Sequence, residues 1–135
     1  MKIEHFAINV EQPSAMSQWY VENLHMKIVS QQEQAPYATF LSDMSGRVMI
    51  EVYNNPPDHV PDYENMNPLT LHLAFVSTNP GKDKERLLQA GAYLVSEDLL
   101  EDGSHLVMLR DPWGLSIQLC KRARPMLLDK ELQGN

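Results

Sequence analysis

Apolar and polar residues alternate along Lys2–Val10, and the same two-residue period returns at Met26–Gln32, Tyr37–Ser42 and Arg47–Tyr53. Side chains of a strand point to opposite faces in turn, so these stretches predict strands. Between the first two lies residues 14–24, where Met16, Trp19, Tyr20 and Leu24 fall at i, i+3, i+4 and i+8, the spacing of one helix face. Pro13 precedes that helix and Ser14 is its expected N-cap. The same order recurs downstream. Leu69–Ser77 predicts a strand, Asn79-Pro80 opens a helix that Gly91 closes, and Ala92–Glu97, His105–Arg110 and Leu115–Cys120 predict three more strands.

The second half is an offset copy of the first. At a shift of 67 positions His5 falls on His72, Ala7 on Ala74, Pro13 on Pro80 and Ile50 on Ile117. Identities this sparse prove little, but the pattern carries the repeat: Val48-Met49-Ile50-Glu51 meets Leu115-Ser116-Ile117-Gln118 without a gap. Each half therefore reads as strand, helix and three strands, giving an α+β domain over residues 1–120 with halves 1–53 and 69–120. Residues 54–68, rich in Pro and Asn, predict a linker without elements of its own. Residues 121–135 form a tail in which Pro125–Gln133 can make a short amphipathic helix.

Sorting the strands by face isolates the candidate chemistry. Phe6, Ile8 and Val10 share one column, opposite Ile3, His5, Ala7 and Asn9. Val48, Ile50 and Val52 oppose Met49, Glu51 and Tyr53; Leu71, Leu73 and Phe75 oppose Thr70, His72 and Ala74; Leu115, Ile117 and Leu119 oppose Ser116, Gln118 and Cys120. One column in each strand suits a core; the other carries His5, Glu51, His72 or Gln118. Any one of these alone is an ordinary solvated strand residue. Together they keep a common spacing, with 46 residues from His5 to Glu51 and 46 from His72 to Gln118. Two imidazoles, a carboxylate and an amide oxygen suit a divalent ion such as Zn²⁺, Ni²⁺, Mn²⁺ or Fe²⁺. His25, after the first helix, His59, in the linker, and His105, whose repeat mate is Ala38, lack this pattern.

Composition narrows the partners. Eighteen acidic against eleven basic residues leave a formal charge of −7, which disfavours a phosphate backbone. Hydrophobic residues at 43% and charged residues at 21% are ordinary for a globular chain. No apolar run approaches the roughly 20 residues of a membrane span, and the single Cys120 has no partner for a disulfide. The opening residues lack a signal-peptide pattern, so a cytoplasmic protein is expected.

The opening Ile3-Glu4-His5-Phe6-Ala7-Ile8-Asn9-Val10, the segment Trp19-Tyr20-Val21-Glu22-Asn23-Leu24-His25-Met26, the strand Leu71-His72-Leu73-Ala74-Phe75, and Asp111-Pro112-Trp113-Gly114 leading into Leu115–Leu119 carry a resemblance. Over Met1–Cys120 the chain resembles the vicinal oxygen chelate superfamily, which contains glyoxalase I, bleomycin-resistance proteins, extradiol dioxygenases, fosfomycin-resistance enzymes and methylmalonyl-CoA epimerase. The resemblance implies paired βαβββ modules whose curved mixed sheets enclose a central cavity, usually in a homodimer. It also implies a metal that chelates the vicinal oxygens of a small-molecule substrate and stabilises an enediolate formed by proton abstraction.

Glu51 within Val48–Asn54 is similar to the second ligand of glyoxalase I, which makes His5, Glu51, His72 and Gln118 the expected ligands and Glu51 the expected proton acceptor. Two departures stand out. Gln118 replaces the carboxylate usual on the final strand, and Asn9 stands where glyoxalase I tends to carry an arginine for a glutathione carboxylate. The alternative expectation is a non-catalytic, drug-sequestering protein of the bleomycin-resistance type. The negative charge suits a cationic ligand, and Trp19, Tyr37, Phe40, Tyr53 and Trp113 are possible walls.

Overall fold

The computed structural model describes residues 1–127. The chain forms two compact units, Met1–Asp62 and Tyr63–Asn135. The first contains β1 (His5–Asn9), α1 (Pro13–Leu24), β2 (Lys27–Gln31), β3 (Thr39–Ser42) and β4 (Met49–Tyr53). Its sheet runs β1-β4-β3-β2, with β1 parallel to β4 and the other pairs antiparallel. The second contains β5 (Leu73–Val76), α2 (Pro80–Gln89), β6 (Tyr93–Leu99), β7 (His105–Arg110) and β8 (Ser116–Lys121). Its sheet runs β5-β8-β7-β6, and again the first strand is parallel to the last. Both units are thus βαβββ modules of the expected α+β class.

The apolar columns form the core. Ile8, Val10, Leu41, Ile50 and Val52 are buried in the first unit, with Met16, Trp19 and Tyr20 from α1. Leu87 of α2 is buried in the second unit, as are Val107, Leu109, Leu115, Ile117 and Leu119. Phe6, on the edge strand of its sheet, and Val48 depart from their columns at 46% and 41% exposed, and the expected column of Leu71, Leu73 and Phe75 is only half-buried.

Several boundaries differ from the periodicity. Ser14 is not the cap of α1: Pro13 takes the first helical position and Gln12 stands at the cap position, where its side chain makes no capping bond. Proline is suited to that position because its φ is preset and its missing N–H has no partner there. The helix ends at His25, whose left-handed backbone (φ 57°, ψ 27°) lets its N–H reach the Tyr20 carbonyl. By contrast, Asn79 does cap α2, its side chain accepting from the Lys82 N–H at 3.1 Å. The linker is not featureless, since Pro57–His59 and Tyr63–Asn65 each make a 3-10 turn. The strand expected from Leu69 begins only at Leu73, because the Leu69 and Thr70 N–H groups close a turn on Asn67. Of the expected helix Pro125–Gln133, the part beyond Leu127 lies outside the described residues, and Pro125 to Leu127 are not helical. Among the described residues no helix is long and apolar enough to cross a membrane.

The Asp111–Gly114 turn has a packing role. Asp111 is fully buried, and its Oδ1 accepts the N–H groups of Trp113 at 2.9 Å and Leu115 at 3.0 Å. Gly114 adopts φ +89°, and a Cβ there would stand 2.8 Å from the Glu64 backbone. Only glycine allows both the conformation and the approach. Gly114→Ala should therefore cost about 2–3 kcal/mol of stability, read as a lower midpoint in urea unfolding; an unchanged midpoint contradicts the close approach.

On the second sheet, Glu97 of β6 joins two elements. It accepts from Lys84 of α2 at 2.7 Å and lies 2.8 Å from the Nε2 of His105 on β7. The Lys84 hydrogen bond, then the His105 one, holds the Glu97 carboxyl below its usual range. Glu97 in turn raises Lys84. A depressed carboxylate contributes stability above its unfolded pKa and loses it as pH falls through the folded value. Glu97→Gln should thus lower Tm at neutral pH, with the gap to wild type closing on acidification; a gap constant with pH would refute the linkage.

Candidate metal centre

In the first unit the parallel register pairs Ala7 of β1 with Glu51 of β4, and Phe40 of β3 with Glu51 from the other side. His5 is two residues before Ala7 and shares its face. From there its Nε2 comes within 3.4 Å of Glu51 Oε2, while the Phe40 ring packs edge-on against the imidazole at 5.4 Å. Glu4 Oε1 lies 3.0 Å from His5 Nδ1. A carboxylate can only accept, so Nδ1 carries a hydrogen toward Glu4, and Nε2 is the ring nitrogen that faces Glu51. Two donors each ~2.1 Å from one tetrahedral ion stand about 3.4 Å apart, so the pair suits a shared cation. With side chains 36% and 18% exposed, His5 and Glu51 are reachable from solvent.

The second unit repeats the arrangement. The register pairs Ala74 of β5 with Gln118 of β8, and His72 again lies two residues before the alanine. His72 Nδ1 lies 2.9 Å from the Pro68 carbonyl oxygen. That oxygen can only accept, so Nδ1 carries the hydrogen and the Nε2 lone pair is available to a ligand. Gln118 is half-buried, and its Oε1 accepts from the Cys120 thiol at 3.3 Å. Burial pushes that thiol up from its ordinary pKa, against a smaller opposing effect of Arg122, so it remains a protonated donor. The structure therefore pairs His5 with Glu51 at contact distance, and sets His72 and Gln118 at the same strand offset in the other unit. Among the described residues, neither unit by itself gathers three His, Cys, Asp or Glu side chains into a cluster.

The chemistry of these donors fits a borderline divalent ion: two imidazole nitrogens, one carboxylate and one amide oxygen. The other histidines have different occupations. His25 caps α1, His59 lies 2.9 Å from Asp58 at the exposed linker turn, and His105 pairs with Glu97. The histidine partners Glu4 and Pro68 were not visible in the sequence. Strand alternation would send Glu4 to the opposite face from His5, but Glu4 stands just before β1 and its side chain reaches the imidazole. Pro68 contributes a backbone atom, which leaves no residue-type signal.

Beside Glu51 lies a cleft of about 370 Å³, lined also by Gln32, Pro36, Ala38, Tyr53 and Asn55, with no lysine or arginine. Tyr53 and Phe40 are thus the expected aromatic residues that meet this region, whereas Trp19 is buried against Tyr20. Asn9 fixes the rim. Its Nδ2 donates to the carbonyls of Pro56 at 2.8 Å and His59 at 3.3 Å, and its Oδ1 accepts from the Asn55 N–H at 2.8 Å. Asn9→Ala should destabilise by about 1–2 kcal/mol and speed amide exchange at Asn55. Exchange unchanged at Asn55 would contradict this tethering.

Comparison with known proteins adds the following. The family model described as Glyoxalase/Bleomycin resistance protein/Dioxygenase superfamily matches residues 2–119. None of the curated proteins matches the sequence. Among solved structures, TnmS3, an antibiotic binding protein from Streptomyces sp. CB03234, is similar at TM-score 0.68 and 16% identity, covering 89% of this chain and 94% of its own. A lactoylglutathione lyase from Agrobacterium tumefaciens gives TM-score 0.64 and 18% identity, covering 87% and 91%. A possible glyoxalase from Bacillus cereus gives 0.65 and 16%, covering 90% and 99%.

Proposed function

The chain belongs to the glyoxalase/bleomycin resistance protein/dioxygenase superfamily, and from that premise we propose that it is a divalent-metal-dependent lyase or isomerase of the glyoxalase I kind, working as a homodimer on a small substrate with vicinal oxygens. The observation that carries this reading is the 3.4 Å approach of His5 Nε2 to Glu51 Oε2, with the imidazole held from its other side by Glu4. His5, Glu51, His72 and Gln118 are the side chains that would hold the ion. When bound, the ion supplies the positive charge that acidifies a C–H bond next to a carbonyl.

The proton transfer belongs to Glu51. Its carboxylate lines the cleft, accepts the proton from the hydroxyl-bearing carbon beside the carbonyl and returns it to the carbonyl carbon, while the hydroxyl proton passes to the former carbonyl oxygen, so the isomerisation needs no external oxidant or reductant. Gln118 cannot take this role, since an amide is no base at neutral pH. Phe40, edge-on to His5 and paired with Glu51, shields one side of the two groups. The cleft carries no cation, and the Asn9 side chain is bonded to its rim. The part of the substrate that passes Glu51 is therefore uncharged or cationic, and a glutathione carboxylate finds no partner there.

A second reading, sequestration of a cationic drug without turnover, draws on the same cation-free cleft and on the net charge of −7. Metal content of protein purified without chelators, with turnover of hemithioacetals formed from neutral, cationic and anionic thiols, separates the two. The proposal expects a stoichiometric divalent ion, turnover lost with chelator, and a Glu51→Gln variant that still binds metal but is slower by about 10²–10⁴-fold. An active Glu51→Gln enzyme overturns the role of Glu51. Metal-free protein that binds cationic drugs with no turnover supports sequestration.

A further inference from the structure

Arg110, at the end of β7, is half-buried and aims its guanidinium at three backbone carbonyls and, at 3.2 Å, the Ser116 hydroxyl. Its Nη1 donates to the carbonyls of Tyr63 at 2.7 Å and Gly114 at 3.1 Å, and its Nη2 to the Met66 carbonyl at 2.7 Å. The fork therefore grips both ends of the turn Tyr63–Met66, which is closed by the Met66 N–H on the Tyr63 carbonyl at 3.2 Å. From below, the same turn rests on Gly114, where the Glu64 backbone comes too close for any Cβ. Immediately after it, Asn67 closes the next turn: its Oδ1 accepts the Leu69 N–H at 2.9 Å and its carbonyl accepts the Thr70 N–H at 2.9 Å. That second turn carries the Pro68 carbonyl, the acceptor of His72 Nδ1.

We infer that Arg110 and Asn67 are positioning residues for His72: they hold the Pro68 carbonyl where it fixes the imidazole as the Nδ1–H tautomer with Nε2 presented as a ligand atom. The relay is short and entirely made of hydrogen bonds within the second unit. Proline 68 has a restricted backbone but no N–H with which to anchor itself, so its orientation depends on the bonds on either side. A guanidinium is suited to the upstream anchor because its rigid fork meets two carbonyls at once, which a lysine ammonium does not reproduce. The inference builds on the reading of His72 as a metal ligand, but the tautomer it predicts exists without metal.

The test uses the full chain, metal-free, with ¹⁵N-labelled histidine. Long-range ¹H–¹⁵N spectra are taken about two pH units above the ordinary imidazole pKa of ~6.5. In wild type, His72 should show a protonated Nδ1 and a bare Nε2. In Arg110→Lys and in Asn67→Ala it should move toward a mixture of tautomers while His5 and His105 keep theirs. Calorimetric titration with Ni²⁺ alone should show affinity about 10–100-fold weaker in both variants. Asn67→Ala removes only an exposed side-chain bond, so it keeps the test available if Arg110→Lys does not fold. A His72 that stays in the Nδ1–H form in the folded variants, or that lacks it in wild type, overturns the inference. A tautomer that responds in protein unable to bind Ni²⁺ supports the positioning and overturns the metal reading.

Discussion

Parallel pairing between the first and last strands of each unit is the constraint on which the candidate site depends. Adjacent strands lie ~4.8 Å apart and advance ~3.3 Å per residue. A residue two positions before its neighbour's partner is thus displaced by roughly 8 Å on the diagonal, a span that one histidine and one acidic or amide side chain cover together. The registers Ala7 with Glu51 and Ala74 with Gln118 impose this diagonal in both units. A slip of one residue would send His5 or His72 to the opposite face. The buried columns of Ile50 and Val52, and of Ile117 and Leu119, oppose any such slip because they would have to leave the core.

Orientation is the second requirement, and each unit meets it differently. In the first, a carboxylate on the preceding residue takes His5 Nδ1; in the second, a loop carbonyl takes His72 Nδ1. The loop solution needs more support, and the Asp111–Gly114 turn, Arg110 and Asn67 provide it. The segment 54–68, predicted as a plain connector, is therefore organised at both ends: Asn9 ties down its beginning, and Arg110 grips the turn near its end.

Much of this was legible in the chain because its signals are periodic. The face of α1 was readable from Met16, Trp19 and Tyr20, and His105–Arg110 was readable residue for residue, its apolar centre Val107–Leu109 being buried on both faces. The common 46-residue spacing marked the four candidate ligands, and the fold places each pair at one strand offset. What escaped was decided by backbone bonds. The start of β5 moved to Leu73 because Asn67 and Pro68 hold the preceding residues in turns, and the start of α1 moved because Pro13 needs no cap bond for itself. The role of Gly114 was equally hidden, because it depends on Glu64, fifty positions away in sequence.

The central claim, that the two pairs hold one kind of divalent ion, is tested most directly by anomalous scattering from crystals grown with Ni²⁺ or Zn²⁺. The account predicts one ion per chain, bonded at about 2.0–2.2 Å to Nε2 of His5, Nε2 of His72, Glu51 and Gln118. An ion bound to one pair alone, or bound away from all four, would contradict it.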